Sequence, residues 1–175
     1  MKKVLGSAAG AALIMVSSLA QANGYIGVNY AQLEQDDRFF GGEDFDTGDV
    51  FVRLGGHINE HFAGELRIGT TLESEEDTGA GLEFRHDSVV SALLRLQHKF
   101  GAFQPYAVAG MSRIDETLDT ATSSSSSSFN DVTFGAGFDF ALGDKFGLNV
   151  EYLQLSDDAG VKRIGPSFGL FMNFY

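Results

Sequence analysis

The sequence has no cysteine, no tryptophan and only two prolines among its 175 residues. The absence of cysteine excludes disulfides, zinc–thiolate sites, cysteine nucleophiles and the lipid-modified cysteine of a lipoprotein. Basic residues are also few, because 12 Lys and Arg stand against 24 Asp and Glu. The resulting formal charge of −12 would repel DNA and RNA, so no nucleic-acid partner is expected.

The first 22 residues have the features of a secretory signal peptide. The start is basic at Lys2, an apolar run continues to Leu19, and Ala22 completes a small-x-small pattern of the kind that signal peptidase recognises. We therefore expect cleavage between Ala22 and Asn23, which leaves a mature domain over 23–175. A membrane anchor is the alternative, but the apolar run is short and rich in small residues.

Beyond the signal peptide, no stretch of about 18 residues is apolar enough for a membrane helix. Segments of about ten residues instead alternate large apolar side chains with small, polar or charged ones, which is the period of a β-strand. Eight strands are predicted, over 25–33, 50–58, 62–72, 88–98, 103–114, 132–142, 146–155 and 163–175. The 22 glycines and 16 phenylalanines suit a tightly curved sheet with an apolar outside.

The connections distinguish between two architectures that this alternation allows. A soluble sandwich would bury the apolar faces between two sheets, whereas an outer-membrane barrel would turn them towards lipid. Long connections alternate with short ones, and the short ones lie at 59–61, 99–102 and 143–145. This alternation predicts an all-β fold, an eight-stranded antiparallel up-and-down transmembrane β-barrel in the bacterial outer membrane. Both termini are then periplasmic, and most acidic residues fall in long external loops.

The alternation also predicts which charged residues line the barrel interior. Residues at even positions are predicted to face lipid in nearly every strand, so charges at odd positions face inward. This inward set contains Arg53, Glu65, Arg67, Arg95, Arg113, Asp139 and Glu151. We expect a closed polar plug, because the barrel is narrow and an unpaired buried charge is very costly. The plug is predicted to centre on Arg53, Glu65, Arg67, Arg95 and Glu151, and a path for ions or solutes is the alternative.

Two other motifs give weak signals for chemistry. His86 and Ser88 share a predicted outward face near the external rim, where a histidine could activate a serine as in a lipid-modifying enzyme. The serine lacks the following Asn of the lipid A deacylase motif. Asp44-x-Asp46-x-Gly48 partly matches a calcium loop, but Gly55 stands where the closing Glu belongs. No catalytic residue, cofactor or specific metal site is predicted.

The third long connection, predicted over 115–131, contains a run of six serines at Ser123–Ser128. Because such low-complexity polar runs bury no apolar surface, we expect this segment to be disordered.

The mature chain resembles the outer-membrane β-barrel-domain family that includes opacity-type proteins and the membrane part of outer-membrane protein A. The resemblance is carried by Gln104–Gly110, Phe134–Phe140, Asn149–Tyr152 and an aromatic C-terminus. It implies insertion by the barrel assembly machinery, with Phe174 and Tyr175 as the C-terminal signal. The outward alternation leads to Phe174, so either Tyr175 points inward or a bulge shifts the register. The peptidoglycan-binding domain of the family is not expected.

Three functional classes follow from these observations. The first is a monomeric structural or surface-interaction barrel that contacts outer-membrane lipid, lipopolysaccharide and a host or phage surface ligand. The second is a narrow, porin-like channel, and the third is a lipid-modifying enzyme. The first is favoured because the predicted interior is crowded with charged side chains and no set of catalytic residues is complete. The barrel fold itself serves all three classes.

Overall fold

The computed structural model describes residues 23–37, 45–73, 83–120, 123–156 and 161–174, which form a closed antiparallel barrel. The strands are β1 (Gly24–Asp37), β2 (Phe45–His57), β3 (Phe62–Glu73), β4 (Glu83–Gln97), β5 (Phe103–Thr120), β6 (Ser123–Leu142), β7 (Phe146–Ser156) and β8 (Val161–Phe174). Each strand pairs with the next, and β1 closes the barrel against β8. The predicted eight-stranded up-and-down barrel is confirmed. No described helix is long and apolar enough to cross a membrane.

Strand β1 starts at the same side of the barrel at which β8 finishes. There Gly24 lies opposite Phe174, beside the short turns at 58–61, 98–102 and 143–145, and we call this the turn end. The opposite end, where β1, β3, β5 and β7 end, is called the loop end. Gly101 and Gly143 have φ of 62° and 89°, a left-handed conformation that favours glycine in tight turns.

Strands β5 and β6 extend further towards the loop end than the sequence predicts. They pair without interruption from Phe103 opposite Phe140 to Thr120 opposite Ser123. The predicted long loop over 115–131 and the predicted disorder of Ser123–Ser128 are therefore wrong. A paired hairpin satisfies its backbone hydrogen bonds without a buried apolar core, so a polar composition does not prevent the strands from continuing.

The barrel wall exposes its large apolar side chains and buries its charged ones. Val52, Phe138 and Leu170 are exposed on the outside, whereas Arg53 and Glu151 are buried within. A soluble protein shows the reverse distribution, and only a lipid environment makes this outer surface favourable. The exposed apolar outside and the buried charged inside therefore both agree with an outer-membrane barrel.

Strand β5 is the exception to the even-numbered outward alternation. Tyr106 and Val108 are buried, and Met111 and Arg113 are exposed. The cause is the register, which pairs even positions with odd positions on both sides of β5. Ala107, for example, lies opposite Leu96 of β4 and opposite Ala136 of β6. The prediction that Arg113 faces inward is therefore wrong.

Inward-facing glycines make room for aromatic rings from neighbouring strands. Gly55 lies opposite Tyr25, and a Cβ atom at Gly55 would lie only 2.0 Å from Tyr25 Cζ. Gly69 stands in the same relation to Phe51, where the corresponding distance to Cδ1 is 2.3 Å. In so narrow a barrel, a large inward ring on one strand requires a residue without a side chain beside it.

Candidate functional site in the barrel interior

Glu65 is the centre of the buried ionic network. Its carboxylate accepts hydrogen bonds from Arg53 Nη2 at 3.0 Å and from Arg67 Nε at 2.5 Å, and the Tyr25 hydroxyl also donates to it. Arg95 Nη1 lies 3.7 Å from Oε2 of the same carboxylate. Strands β2, β3 and β4 each supply one arginine, so this carboxylate joins three neighbouring strands across the barrel interior.

Glu151 forms the second centre of the network from the opposite wall. Arg67 donates to its two oxygens with Nη1 at 2.5 Å and Nη2 at 2.7 Å, a bidentate pair that fixes both side chains. The Tyr106 hydroxyl donates to Oε2 at 2.7 Å. Because Arg67 also binds Glu65, its guanidinium bridges β3 to β7 through the middle of the barrel.

Arg95 pairs with Asp139 towards the turn end. The distance from Arg95 Nη2 to Asp139 Oδ2 is 2.5 Å, and Asn149 donates to the other carboxylate oxygen at 2.6 Å. The Arg95 guanidinium carbon also lies 3.7 Å from the centre of the Tyr106 ring, which is cation–π geometry. Asp139 thus supplies the third carboxylate of the network beside Glu65 and Glu151.

The structure brings all five predicted plug residues into this one network. It consists of three arginines and three carboxylates, so its formal charges cancel. Several uncharged members were not predicted, namely Tyr25, Asn29, Tyr106 and Asn149. Asn29 and Asn149 occupy positions that the strand alternation predicts to face inward, so this pattern could have identified them. Tyr106 was missed because the register of β5 reverses the alternation there.

A chain of hydroxyl groups lies on the loop side of the ionic network. The Ser112 hydroxyl is 2.6 Å from that of Ser91 and 2.5 Å from that of Thr133. Thr133 also donates to the backbone carbonyl of Leu155 at 3.1 Å. These small polar groups satisfy one another, so they do not depend on the charged residues.

An apolar layer lies in the interior towards the loop end. It is a cluster of buried side chains, and its members are Ala31, Leu33, Phe51, Val89, Ile114, Leu153 and Leu155. The interior predicted from the strand alternation is polar throughout and lacks this layer. A signal was present in the two leucines of β7, which occupy odd positions just beyond Glu151.

A small cavity of about 90 Å³ lies at the turn end, beneath the ionic network. Its lining includes His57, Arg95, Gln97, Lys99 and Asp144. Within the described part of the chain, Arg95 Nε and Nη1 and Gln97 Oε1 have no hydrogen-bond partner. The polar lining and the volume together leave room for water molecules in the cavity.

The two weaker sequence candidates, the His86–Ser88 pair and the calcium-loop match, are only partly covered by the described residues. A β-bulge places His86 and Ser88 opposite the consecutive residues Glu116 and Asp115, so their spacing no longer implies one shared face. The calcium-loop match begins at Asp44, outside the described residues. Across the described ranges, no group of three or more His, Cys, Asp or Glu side chains is arranged to hold a metal ion.

The two ends of the chain are only partly described. Asn23 is exposed at the turn end, whereas the predicted cleavage residue Ala22 and the rest of the signal peptide lie outside the described residues. Phe174 is the last residue of β8 and is partly exposed. Tyr175 lies outside the described residues, so its predicted part in the assembly signal stays a prediction.

The sequence that forms this closed eight-stranded barrel matches a protein-family model. The model is described as the outer membrane protein beta-barrel domain, and it matches residues 6–170. The chain belongs to this family. No curated protein matches the chain.

Solved structures give the same fold at low sequence identity. The chain is similar to Ail, the attachment invasion locus protein of Yersinia pestis (TM-score 0.63, 15% identity, 87% of this chain and 97% of that one). It is similar to Neisserial surface protein A (0.64, 17%, 86% and 97%) and to the N-terminal β-barrel domain of Pseudomonas aeruginosa OprF (0.56, 14%, 86% and 97%). These identities show a common fold and no more.

Proposed function

We propose that this protein is a monomeric structural or surface-interaction barrel of the bacterial outer membrane, with an interior closed to ions. The observation that carries the proposal is the stacking of two unlike layers in the interior. An ion entering from the turn end meets a charge-balanced network, and beyond it an apolar layer that includes Leu33, Phe51 and Leu153. Each charge of the first layer has a partner of opposite sign, and the second layer consists of apolar side chains.

The cost of opening this interior supports a closed state. Arg67 is held by Glu65 on one side and by Glu151 on the other, and all three side chains are buried. Removing one partner of such a buried pair typically costs about 3–5 kcal/mol, because the other charge is left uncompensated. A conducting path would have to separate at least one of these pairs.

Ion flux through proteoliposomes tests the proposal against the channel alternative. Vesicles that contain the purified protein and are loaded with KCl should retain potassium as well as protein-free vesicles do. Vesicles that contain a known porin provide the control for correct insertion. Rapid potassium release from vesicles of the unmodified protein would support the channel and sink the closed barrel.

We further propose that the turn end faces the periplasm and the loop end faces outward. The short turns share one end of the barrel with the start of β1 and the end of β8, as in outer-membrane barrels whose turns are periplasmic. The natural chain has no cysteine, so a single introduced thiol reports one position only. On intact cells, a membrane-impermeant maleimide should label Glu34→Cys and spare Lys145→Cys; the reverse pattern would invert the orientation.

The ligand class at the loop end follows from charge. Ail has been solved in complex with sucrose octasulfate, a heparin analogue. The present chain has a net charge of −12, and most acids lie in or beside its predicted external connections, so a sulfated polyanion would be repelled. We propose instead a cationic host or phage surface ligand, or lipopolysaccharide bridged by divalent cations. Cells that display the protein should not be retained on immobilised heparin, and retention would contradict this assignment.

We propose no catalytic activity. Ser88 is half-buried, and a register shift lies between it and His86, so their spacing no longer implies one shared face. Expression of the protein should leave the mass of lipid A unchanged. A mass shift that disappears in a Ser88→Ala variant would support the enzyme alternative.

A further inference from the structure

The hairpin of β5 and β6 leaves one strand edge without a partner at the loop end. Strand β6 pairs with β5 from Ser123 onwards, but its pairing with β7 begins only at Phe134. Among the described residues, no strand pairs with 124–130 on the side away from β5. We call residues 124–130 the free edge. The barrel is therefore closed through the membrane but open along this part of β6.

The hydrogen-bond register shows which backbone groups the free edge presents. The N–H group of Ala141 donates to the carbonyl of Ala102 at 2.8 Å, so odd-numbered residues of β6 direct their backbone groups towards β5. No register shift interrupts the pairing of β5 with β6 from there to Ser123. Even-numbered residues therefore direct their N–H and C=O groups away from β5. In the free edge these residues are Ser124, Ser126, Ser128 and Asn130.

The sequence of the free edge does not discourage pairing with another strand. Natural edge strands are commonly protected by lysine, by proline, by a bulge or by being very short. The free edge contains no lysine, arginine or proline, and it continues a strand that is 20 residues long. Unpaired backbone groups cannot lie in hydrocarbon without great cost, so this edge stands in water beyond the lipid-facing wall. An extended segment of another chain can reach it there.

Charge indicates which kind of segment the free edge would accept. On β5, directly opposite residues of the free edge, lie Asp115, Glu116 and Asp119. The part of the hairpin over 115–131 contains no lysine or arginine. A strand added to the free edge would lie about 10 Å from β5, which is close to the Debye length at physiological ionic strength. These acids therefore attract a basic segment and repel a second copy of this acidic chain.

We propose that the free edge binds an extended, basic segment of another polypeptide as an added β-strand. Backbone hydrogen bonds to the even-numbered residues hold the segment, and its lysine or arginine residues are attracted by the acids of β5. This inference rests on the proposed surface-interaction function and names the chemistry of its cationic ligand. The two can fail separately, because peptide binding is measured on the purified protein and the outward orientation is measured on intact cells.

Fluorescence anisotropy with the full chain in detergent tests the proposal. The probe is a short labelled peptide of alternating lysine and threonine. One control peptide has glutamate in place of lysine, and a second keeps the lysines but has every backbone amide N-methylated, so that it carries the charge without the donors. The unmodified protein should bind the lysine peptide about tenfold more tightly than either control.

A proline variant of the free edge tests the backbone contact. Ser126→Pro/Ser128→Pro removes two N–H groups that point away from β5 and leaves the hydrogen bonds to β5 in place. Its strand content by circular dichroism should match that of the unmodified protein, and its affinity for the lysine peptide should fall about tenfold. The matched control Ser126→Thr/Ser128→Thr keeps both N–H groups and should bind as the unmodified protein does.

A charge variant tests the acids of β5 without altering the free edge. Asp115→Asn/Glu116→Gln/Asp119→Asn removes three negative charges and should weaken binding of the lysine peptide about tenfold, as expected for three exposed pairs. The control Glu60→Gln/Asp144→Asn removes two exposed acids from the turn end and should leave the affinity unchanged.

Four results would overturn the proposal. Equal binding of the lysine and glutamate peptides would remove the preference for a basic segment. Equal binding of the lysine peptide and its N-methylated form would reduce the contact to charge alone. An unchanged affinity in the proline double variant would place the peptide elsewhere on the protein. A dimer of the unmodified protein that Ser126→Pro/Ser128→Pro dissociates would assign the free edge to a second copy of the chain.

Discussion

The two halves of the barrel interior are stabilised by different physics. On the turn side, arginine and carboxylate side chains form a buried network whose members depend on exact partners. On the loop side, aliphatic and aromatic side chains pack in a layer that depends on volume rather than on pairing. Loss of one member should therefore have unlike consequences, since it strands a charge in the first half and leaves a cavity in the second.

The largest effect is expected at the centre of the ionic network. Glu65→Ala leaves Arg53 and Arg67 without their shared carboxylate and should lower the free energy of unfolding by about 4 kcal/mol. Urea unfolding in detergent, followed by circular dichroism, measures the change. Glu60→Ala removes an exposed carboxylate from the turn at 58–61 and should cost less than about 0.5 kcal/mol. Equal losses in the two variants would mean that the network does not stabilise the barrel.

The apolar layer should respond less strongly than the ionic network. Leu153→Ala removes a fully buried side chain and should lower the free energy of unfolding by about 3 kcal/mol, through lost burial and the cavity left behind. Leu148→Ala truncates a leucine on the outside of the same strand and should cost about 1 kcal/mol in the same urea titration. If the outer leucine mattered more, the loop-side layer would not be a packed core.

The close approach of the Tyr25 ring to Gly55 indicates that side-chain volume also matters in the half of the interior that contains the ionic network. Gly55→Ala places a methyl group against the Tyr25 ring and should cost about 2 kcal/mol, the usual penalty of overpacking. Gly64→Ala, on the outward side of β3, is the matched control and should be nearly neutral. A neutral Gly55→Ala would show that the Tyr25 ring can move away without loss of its bond to Glu65.

The smallest effect is expected at Arg113, which separates the observed register of β5 from the predicted one. Arg113→Met changes an exposed side chain on the outer wall and should alter the free energy of unfolding by about 0.5 kcal/mol. Arg95→Met, in the interior, should cost several times more because Asp139 loses its arginine partner. A large loss at Arg113 would place that residue inside the barrel and contradict the register.

Sequence reasoning predicted the barrel because strand alternation and connection length are local properties of the chain. It also selected Arg53, Glu65 and Arg67 as interior residues, because the alternation of their strands is unbroken around these positions. It failed at β5, where the register with β4 and β6 changes the alternation, and register depends on pairing partners that a single segment does not reveal. Arg113 and Tyr106 were both misplaced for this reason.

Which residues pair with one another in the ionic network was harder to predict than which residues belong to it. Glu65 meets an arginine from each of three strands, and this depends on the stagger of the strands around the closed barrel. The prediction that Ser123–Ser128 is disordered was wrong for a different reason. Its composition is typical of disordered segments, but the backbone pairing between β5 and β6 continues through it.

Single-channel recording in planar bilayers tests the closed interior most directly, because it detects even brief openings of one molecule. With the ionic network intact and the apolar layer packed above it, the unmodified protein should give no unitary current steps in salt solution at any applied voltage that the bilayer withstands. Sustained unitary steps from the unmodified protein, absent from protein-free bilayers, would contradict the account.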